Sequence, residues 1–419
     1  MKKIIAICSI IIAIIFVSGC SLSGTTTTAT TAVTTVDTEN IIDISTPAEL
    51  AAIEMNQSYR LISDIDLTGI EWTPLGSYEE PYLGIFDGND HTISNLTITV
   101  RNDLFNGLFA NMAGIVKNLA LTNFSIDYAC NYLTYAGGLS GYLTGDVENV
   151  ELSGAISISN TKSNTFVGLL TGLSSAKITD TMTADQFVAN QITNVTATGT
   201  IDASTKNFMF AGGLIGKIYN SEVSNCVVDI AMEVSSLTYR VYAGGLTGHH
   251  YGGVLIGFED YVTTVEIPIY NNIVMGSLDV TSTGTHASVG GFVGYTQYGI
   301  MSDNFAIVDL TLAGADLFGS AFAGEAWKSK IENVLGAGSI VVAPMDEQVA
   351  QISSLFGFIS EDSTVTTSYY LVDTTETLTA LSGTLATPEN LVDEAWYATW
   401  MTWDESVYAL TDIALLFAE

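Results

Sequence analysis

Basic residues are scarce in this chain: twelve Lys and Arg stand against 45 Asp and Glu, a formal net charge of −33. Nucleic-acid and anionic-membrane binding both depend on clustered Lys and Arg, so this balance argues against either partner. Cysteine is scarce too. Of four, Cys8 and Cys20 belong to the N-terminal leader, and Cys130 and Cys226 fall at different phases of the repeat described below. They are expected as two unpaired thiols, so no disulfide framework holds the fold. The four histidines are His91, His249, His250 and His286, with no H-E-x-x-H and no C-x-x-C, which leaves zinc peptidase chemistry without ligands. A G-x-S-x-G elbow, a phosphate loop and a dinucleotide fingerprint are also missing from any suitable setting. No catalytic residue and no cofactor is assigned. Helical periodicity of useful length is lacking as well, and Val, Ile, Thr, Leu and aromatics run instead in short alternating stretches between Gly and Asn, the pattern of strands and turns.

The chain opens Met1-Lys2-Lys3, continues with a largely apolar run Ile4–Val17, and reaches Ser18-Gly19-Cys20. A basic start, a short apolar core and a small-residue cleavage site describe a secretory signal, and the run falls short of the ~20 residues that span a bilayer. Val17-Ser18-Gly19-Cys20 resembles the lipobox of bacterial lipoproteins. That resemblance implies cleavage before Cys20 and acylation of its thiol, a membrane anchor worth about 0.8 kcal/mol per buried CH₂. Residues 1–19 are thus expected as signal peptide, and 20–40 as a lipidated Cys followed by a Thr-rich stalk too polar to form a core. The protein is expected outside the cytoplasm, tethered to a bacterial membrane or cell surface.

Beyond the stalk one motif recurs. Ala243-Gly244-Gly245-Leu246-Thr247-Gly248 has relatives at Ala136–Gly141, Val167–Gly172, Ala211–Gly216 and Val289–Gly294. Between copies stands a second marker, an Asn flanked by apolar residues: Asn95, Asn118, Asn149, Asn194, Asn225 and Asn333, with Asn272 and Asn304 less cleanly placed. Together they set a period near 31 residues. Several short strands per unit, repeated end to end, predict a parallel β-helix of about 8–10 coils. Asn tolerates the left-handed region and its amides can stack along the axis, so the marker is expected at a corner. Counting back from an inward Leu246 by twos puts Gly244 and Tyr242 inward. On that count the aromatic column Tyr135, Phe166, Phe210, Tyr242 and Phe318 packs the core, with glycine leaving it room and allowing positive φ.

The repeated Gly-Leu-any-Gly core resembles the GLUG-motif family of bacterial surface proteins. The lead-in is similar too, from Asp64-Ile65-Asp66-Leu67 through Trp72-Thr73-Pro74-Leu75-Gly76 to Phe86–Ile93. The resemblance covers residues 41–370 and implies a right-handed β-helix exposed at the cell surface; such repeats also accompany immunoglobulin A metallopeptidases as an accessory region. Solenoid ends need covers. Thr46-Pro47-Ala48-Glu49 reads as a short N-terminal capping helix, and residues 371–419, with Thr387-Pro388 and Trp396, Trp400 and Trp403, as a C-terminal capping segment over the last coil.

Candidate sites come from acidic pairs and from spacing. Asp64, Asp66, Asp87 and Asp90 are possible Ca²⁺ ligands, though Asp also builds turns. Two insertions interrupt the period, at about Leu173–Gln191 and His249–Pro268, and both leave the same corner. Two coil steps, roughly 10 Å, separate them. They are expected as ridges flanking a groove, with Lys217 and Tyr219 on its floor and His249, His250, Tyr251, Glu259, Asp260 and Tyr261 on one wall. Such groups suit an extracellular protein or a glycan. The resulting expectation is a lipid-anchored surface module for binding or adhesion. The alternatives are a Ca²⁺-dependent polysaccharide lyase-like enzyme and a structural spacer.

Overall fold

The computed structural model describes residues 40–100, 104–176, 187–256, 263–343, 349–374 and 383–401. Cys20, the signal peptide, nearly all of the stalk, Glu259, Asp260, Tyr261 and Trp403 lie outside them. The described chain is all-β and winds as a parallel-stranded solenoid. One 17-stranded sheet, in which eight strands have ten or more residues, runs beside two sheets of eight short strands, and these count eight coils. Each strand pairs in register with the next coil: Val116 faces Val147, 31 residues on. Val147 faces Ile192 and Val223 faces Ile269, so the two insertions add their length without disturbing the register.

The Asn markers sit where their chemistry directs. Asn95, Asn118, Asn149, Asn194, Asn225 and Asn333 all have positive φ, between 52° and 61°, a conformation Asn adopts at little cost. Their amides also stack. Asn194 Nδ2 donates to Asn149 Oδ1 at 3.0 Å, Asn149 to Asn118 at 3.2 Å, and Asn118 to Asp87 Oδ1 at 3.1 Å. Asn272 and Asn304 depart from the expected placement. Asn271 and Asp303 take the left-handed corner there, while Asn272 and Asn304 point inward and are fully buried. Inside, Asn304 Nδ2 donates to the Ile269 and Ser302 carbonyls at 2.9 Å, and Asn272 Nδ2 donates to Asn304 Oδ1 at 2.9 Å. With every amide group bonded, these buried polar side chains are tolerated.

Helix α1, Pro47–Ala51, has the expected capping box, with Thr46 and Glu49 each bonding the other's backbone, and its Leu50 is fully buried in the core. Part of the C-terminal segment continues the last coil, where Thr384 and Leu385 pair with Tyr369 and Tyr370, and part turns along the side. Helices α2 (Pro388–Leu391) and α3 (Glu394–Tyr397) bring Tyr397, Trp400 and Trp396 against Ile273, Phe305, Leu335 and Tyr369. Those four stand in one column on successive coils, each in register with the next. They face outward, because Ala306, beside Phe305, belongs to the main core. Beyond Leu385 the expected cap is instead a brace along the side wall, where the apolar column gives its rings a surface to bury against.

Candidate functional site

The Gly-Gly-Leu corner shapes the outer surface through close backbone approach. A Cβ on Gly248 would stand 2.4 Å from the Tyr242 carbonyl oxygen and 2.7 Å from Ala211 N. One on Gly244 would stand 2.3 Å from the Thr247 oxygen. The two short sheets thus meet backbone to backbone, and neither glycine is among those with positive φ. This corrects the expected role of Gly244 and Gly248, which make room for neighbouring backbone; Gly138 does leave room for a ring, that of Phe124 at 2.7 Å.

The aromatic column is corrected as well. Val241, Ala243 and Leu246 are the residues that fill the core. Tyr242, Phe166 and Phe210 form a separate cluster on the outer side, joined by Tyr135, Phe208 and Tyr295. There the rings stack from coil to coil: Tyr135 on Phe166 and Phe166 on Phe210, both at 4.4 Å, and Phe210 on Tyr242 at 5.3 Å. The opposing short sheet meets this column with Tyr142, Lys217, His249 and Tyr295. Phe105 lies 5.6 Å from Tyr142, and Tyr242 lies 5.4 Å from His249 and 5.6 Å from Tyr295. The result is an aromatic seam along the solenoid between the two short sheets, with Phe166, Phe210 and Tyr242 buried and Tyr135, Tyr142, Lys217 and Tyr295 half-buried.

Four of the expected binding residues meet in this seam. Lys217 and Tyr219 stand in register with His249 and Tyr251 on the next coil. The Lys217 ammonium lies 4.4 Å from the Tyr219 ring centre and 4.7 Å from that of Phe210. Tyr219 and Tyr251 are 6.0 Å apart. Burial pushes the Lys217 amine down to about 7. Burial, the Lys217 charge and His250 together hold His249 well below its ordinary value, so its imidazole is neutral.

His250 does not belong to the site. His249–Tyr251 continue a regular strand, Thr247–Tyr251, and are not part of an insertion. Alternation turns His250 inward, where it is fully buried and its Nδ1 is hydrogen-bonded with Thr296 Oγ1 at 3.1 Å. Its pKa, lowered to about 3 by burial, keeps it uncharged. The first insertion likewise starts later than expected, since Leu173–Ser175 complete the strand Thr171–Ser175. The second contains an antiparallel hairpin, Gly253–Ile256 with Thr263–Glu266. Its base meets that of the first: Ala176, Phe187 and Ile267 pack together, with Ala189 and Val265 against them. The open floor expected between two ridges is therefore bridged by apolar side chains.

The acidic residues of the first coils are occupied structurally. Asp64 accepts from Thr92 N at 3.0 Å and pairs with His91; these bonds, the Thr92 amide first, lower its pKa. Asp66 accepts from the Thr68 hydroxyl and from Asn95, which lower its pKa. Asp87 accepts from the Asn89 and Asn118 nitrogens and lies 3.5 Å from Lys117, while Asp90 sits at a left-handed turn. Among the described residues no group of three or more His, Cys, Asp or Glu could hold a metal ion.

Sequence reasoning missed one constellation in the seam. His286 Nδ1 meets Asp316 Oδ2 at 3.1 Å and its Nε2 meets Glu325 Oε1 at 2.6 Å, while Trp327 Nε1 donates to the other Glu325 oxygen at 3.2 Å. Asp316 follows His286 by 30 residues, so the period itself could have joined these two. Glu325 comes from the facing sheet, which no spacing rule reaches. Burial alone would lower the His286 pKa, but the hydrogen bonds and charges of Glu325 and Asp316 outweigh it and raise the value. A raised folded value means the stabilisation is complete below the ordinary value of about 6.5 and fades as pH rises through the folded pKa. Arg240, in register with His286 on the preceding coil, and the Tyr242 and Phe318 rings complete its surroundings. Urea unfolding followed from pH 6 to 9 is expected to show a loss on the order of 1–2 kcal/mol that disappears in His286→Gln. An identical pH slope in the variant would remove His286 as the cause.

No family model matches the chain. A stretch of 141 residues is 30% identical to part of Halomucin from Haloquadratum walsbyi. The match covers 29% of this chain and spans only about 2% of that protein. Among solved structures, a candidate immunoglobulin A1 protease from Bacteroides ovatus aligns over 85% of this chain and 87% of its own. The identity is 17% and the TM-score 0.45, a likeness that speaks to neither the fold nor the activity here. No helix among the described residues is long and apolar enough to cross a membrane.

Proposed function

We propose that this chain is a lipid-anchored extracellular binding module, a right-handed β-helix of the GLUG-motif kind held to a bacterial membrane through Cys20. Its seam engages protein or glycan partners in the surroundings. The observation that carries this reading is the half-exposed band of Tyr219, Tyr251, Tyr295 and Lys217 along the outer side of the solenoid. Amphipathic rings with a polar edge are the side chains that recur at recognition surfaces. A rigid solenoid presents them at fixed spacing, so little ordering entropy opposes binding. The acidic composition fits a surface in contact with the external medium, and the lipobox-like Val17–Cys20 with its Thr-rich stalk supplies an anchor and reach.

The test compares the full chain with the double variant Tyr219→Ala/Tyr251→Ala on a glycan array and in whole-cell pull-downs. At least a tenfold loss of retention, with an unchanged thermal midpoint, is expected. Equal retention by both proteins would dismiss the seam as a recognition surface. For the anchor, Cys20→Ser is expected to move the protein from the membrane fraction to the medium.

A further inference from the structure

We propose that Lys217, with His249 beside it, is a covalent capture site for small aldehydes, the open-chain forms of reducing sugars among them. The site lies in the seam but needs no macromolecular partner, so it goes beyond the binding reading above.

Three observations converge on it. First, acidic residues outnumber basic ones nearly four to one, yet Lys217 forms no ion pair among the described residues, whereas Lys117 and Lys330 pair with Asp87 and Glu266. Its neighbours are the faces of Phe210 and Tyr219. Ring faces attract an ammonium, but they do not replace a counter-ion or the water it loses. Second, Lys217 is not sealed in the interior. Lys217 is neither fully buried nor in the core, and it faces the seam while Ile218 fills the interior. Third, His249 stands in register on the adjacent strand, stacked on Tyr295 at 4.9 Å. Its imidazole, neutral through burial, offers the amine no counter-charge.

These parts suffice for imine formation. The neutral Nζ lone pair attacks the carbonyl carbon, and a C–N bond forms as the C=O π pair moves onto oxygen. The proton lost by nitrogen passes to that oxygen through solvent, giving a carbinolamine. The carbinolamine expels its hydroxyl with a proton as water, and the nitrogen lone pair closes the C=N bond. One aldehyde is consumed and one water released; no oxidant or reductant enters, and hydrolysis reverses the capture. The amine that burial has pushed down to about 7 is half neutral at pH 7, whereas an ordinary lysine is neutral to well under one part in a thousand.

The test treats the full-length protein with limiting glycolaldehyde and cyanoborohydride at pH 7, where the hydride fixes the imine as a secondary amine, and maps the lysines by peptide mass spectrometry. Lys217 is expected to be labelled roughly tenfold faster or more than the exposed Lys162 and Lys206, with the preference vanishing near pH 10.5. In Lys217→Met the fast site disappears while the thermal midpoint holds. Labelling of Lys217 at the rate of Lys206 at pH 7 would overturn the proposal. Because the readout is a chemical adduct, a failed pull-down leaves it intact, and its own failure leaves the binding reading standing.

Discussion

Gly248→Val is expected to cost at least about 3 kcal/mol of stability, at the upper end of what overpacking does in a core. The added Cβ alone meets the Tyr242 oxygen at 2.4 Å and Ala211 N at 2.7 Å. Both are backbone atoms of the facing sheet, fixed by their own ladders, so no side chain can swing aside. The same relation holds at Gly172, Gly216 and Gly294, where the backbone nitrogens of Ala136, Val167 and Ala243 in the facing sheet stand 2.7 Å away. Valine would have to prise the two short sheets apart along the seam, and coils on both sides would lose packing. Urea unfolding of the purified chain measures it. Gly69→Ala serves as the contrast: a Cβ there meets nothing within 4 Å, but φ is +78°, so only the conformational cost of about 1 kcal/mol is expected. A Gly248→Val loss no larger than that of Gly69→Ala would mean that the sheets do not depend on close approach.

Tyr397→Ala is expected to cost about 3–5 kcal/mol of the local stability of the C-terminal brace. Tyr397 is fully exposed to its neighbours and to no solvent: it is 0% accessible, lies edge-on to Phe305 at 5.7 Å, and donates its hydroxyl to the Leu391 carbonyl at 2.8 Å. Truncation leaves a cavity beside Trp400 and an unpaired carbonyl, two of the recognised routes to a large loss. Each coil of a solenoid is held chiefly by its neighbours, so the damage should stay local. Limited proteolysis is expected to cleave the variant within 383–401 while the coils from Ile85 to Val342 remain protected. Simultaneous cleavage throughout the solenoid would show that the segment supports the whole stack instead of one flank.

The corner asparagines and the period were legible because each follows from a single-residue property or from counting. Positive φ selects Asn locally, and no tertiary contact is needed to read it. The inward and outward faces of the motif were not legible by the same means. Counting by twos holds only within one strand, and the Gly244–Gly245 corner lies between Tyr242 and Leu246, so the parity breaks where the chain folds over. At Asn271/Asn272 and Asp303/Asn304 the ambiguity was a choice between neighbours, settled by which amide finds partners inside. His250 was misplaced for a different reason: the insertion was placed at the end of the motif, whereas strand pairing with Ile218 and Thr296 carries the coil through Tyr251. Glu325 reaches His286 from the other short sheet, a pairing that depends on the fold having closed.

The apolar knot formed by Ala176, Phe187 and Ile267 also bears on how such a chain can change length. A stack held only by adjacent contacts accepts duplication or loss of a whole 31-residue unit almost anywhere, since each new neighbour resembles the old one. This knot instead ties coil three to coil five across coil four. Deleting coil four would bring the two inserts one strand spacing apart, and doubling it would draw them out of reach. The stretch from Thr171 to Tyr270 is thus a segment of fixed copy number, and the C-terminal brace across Ile273, Phe305, Leu335 and Tyr369 sets a second such limit.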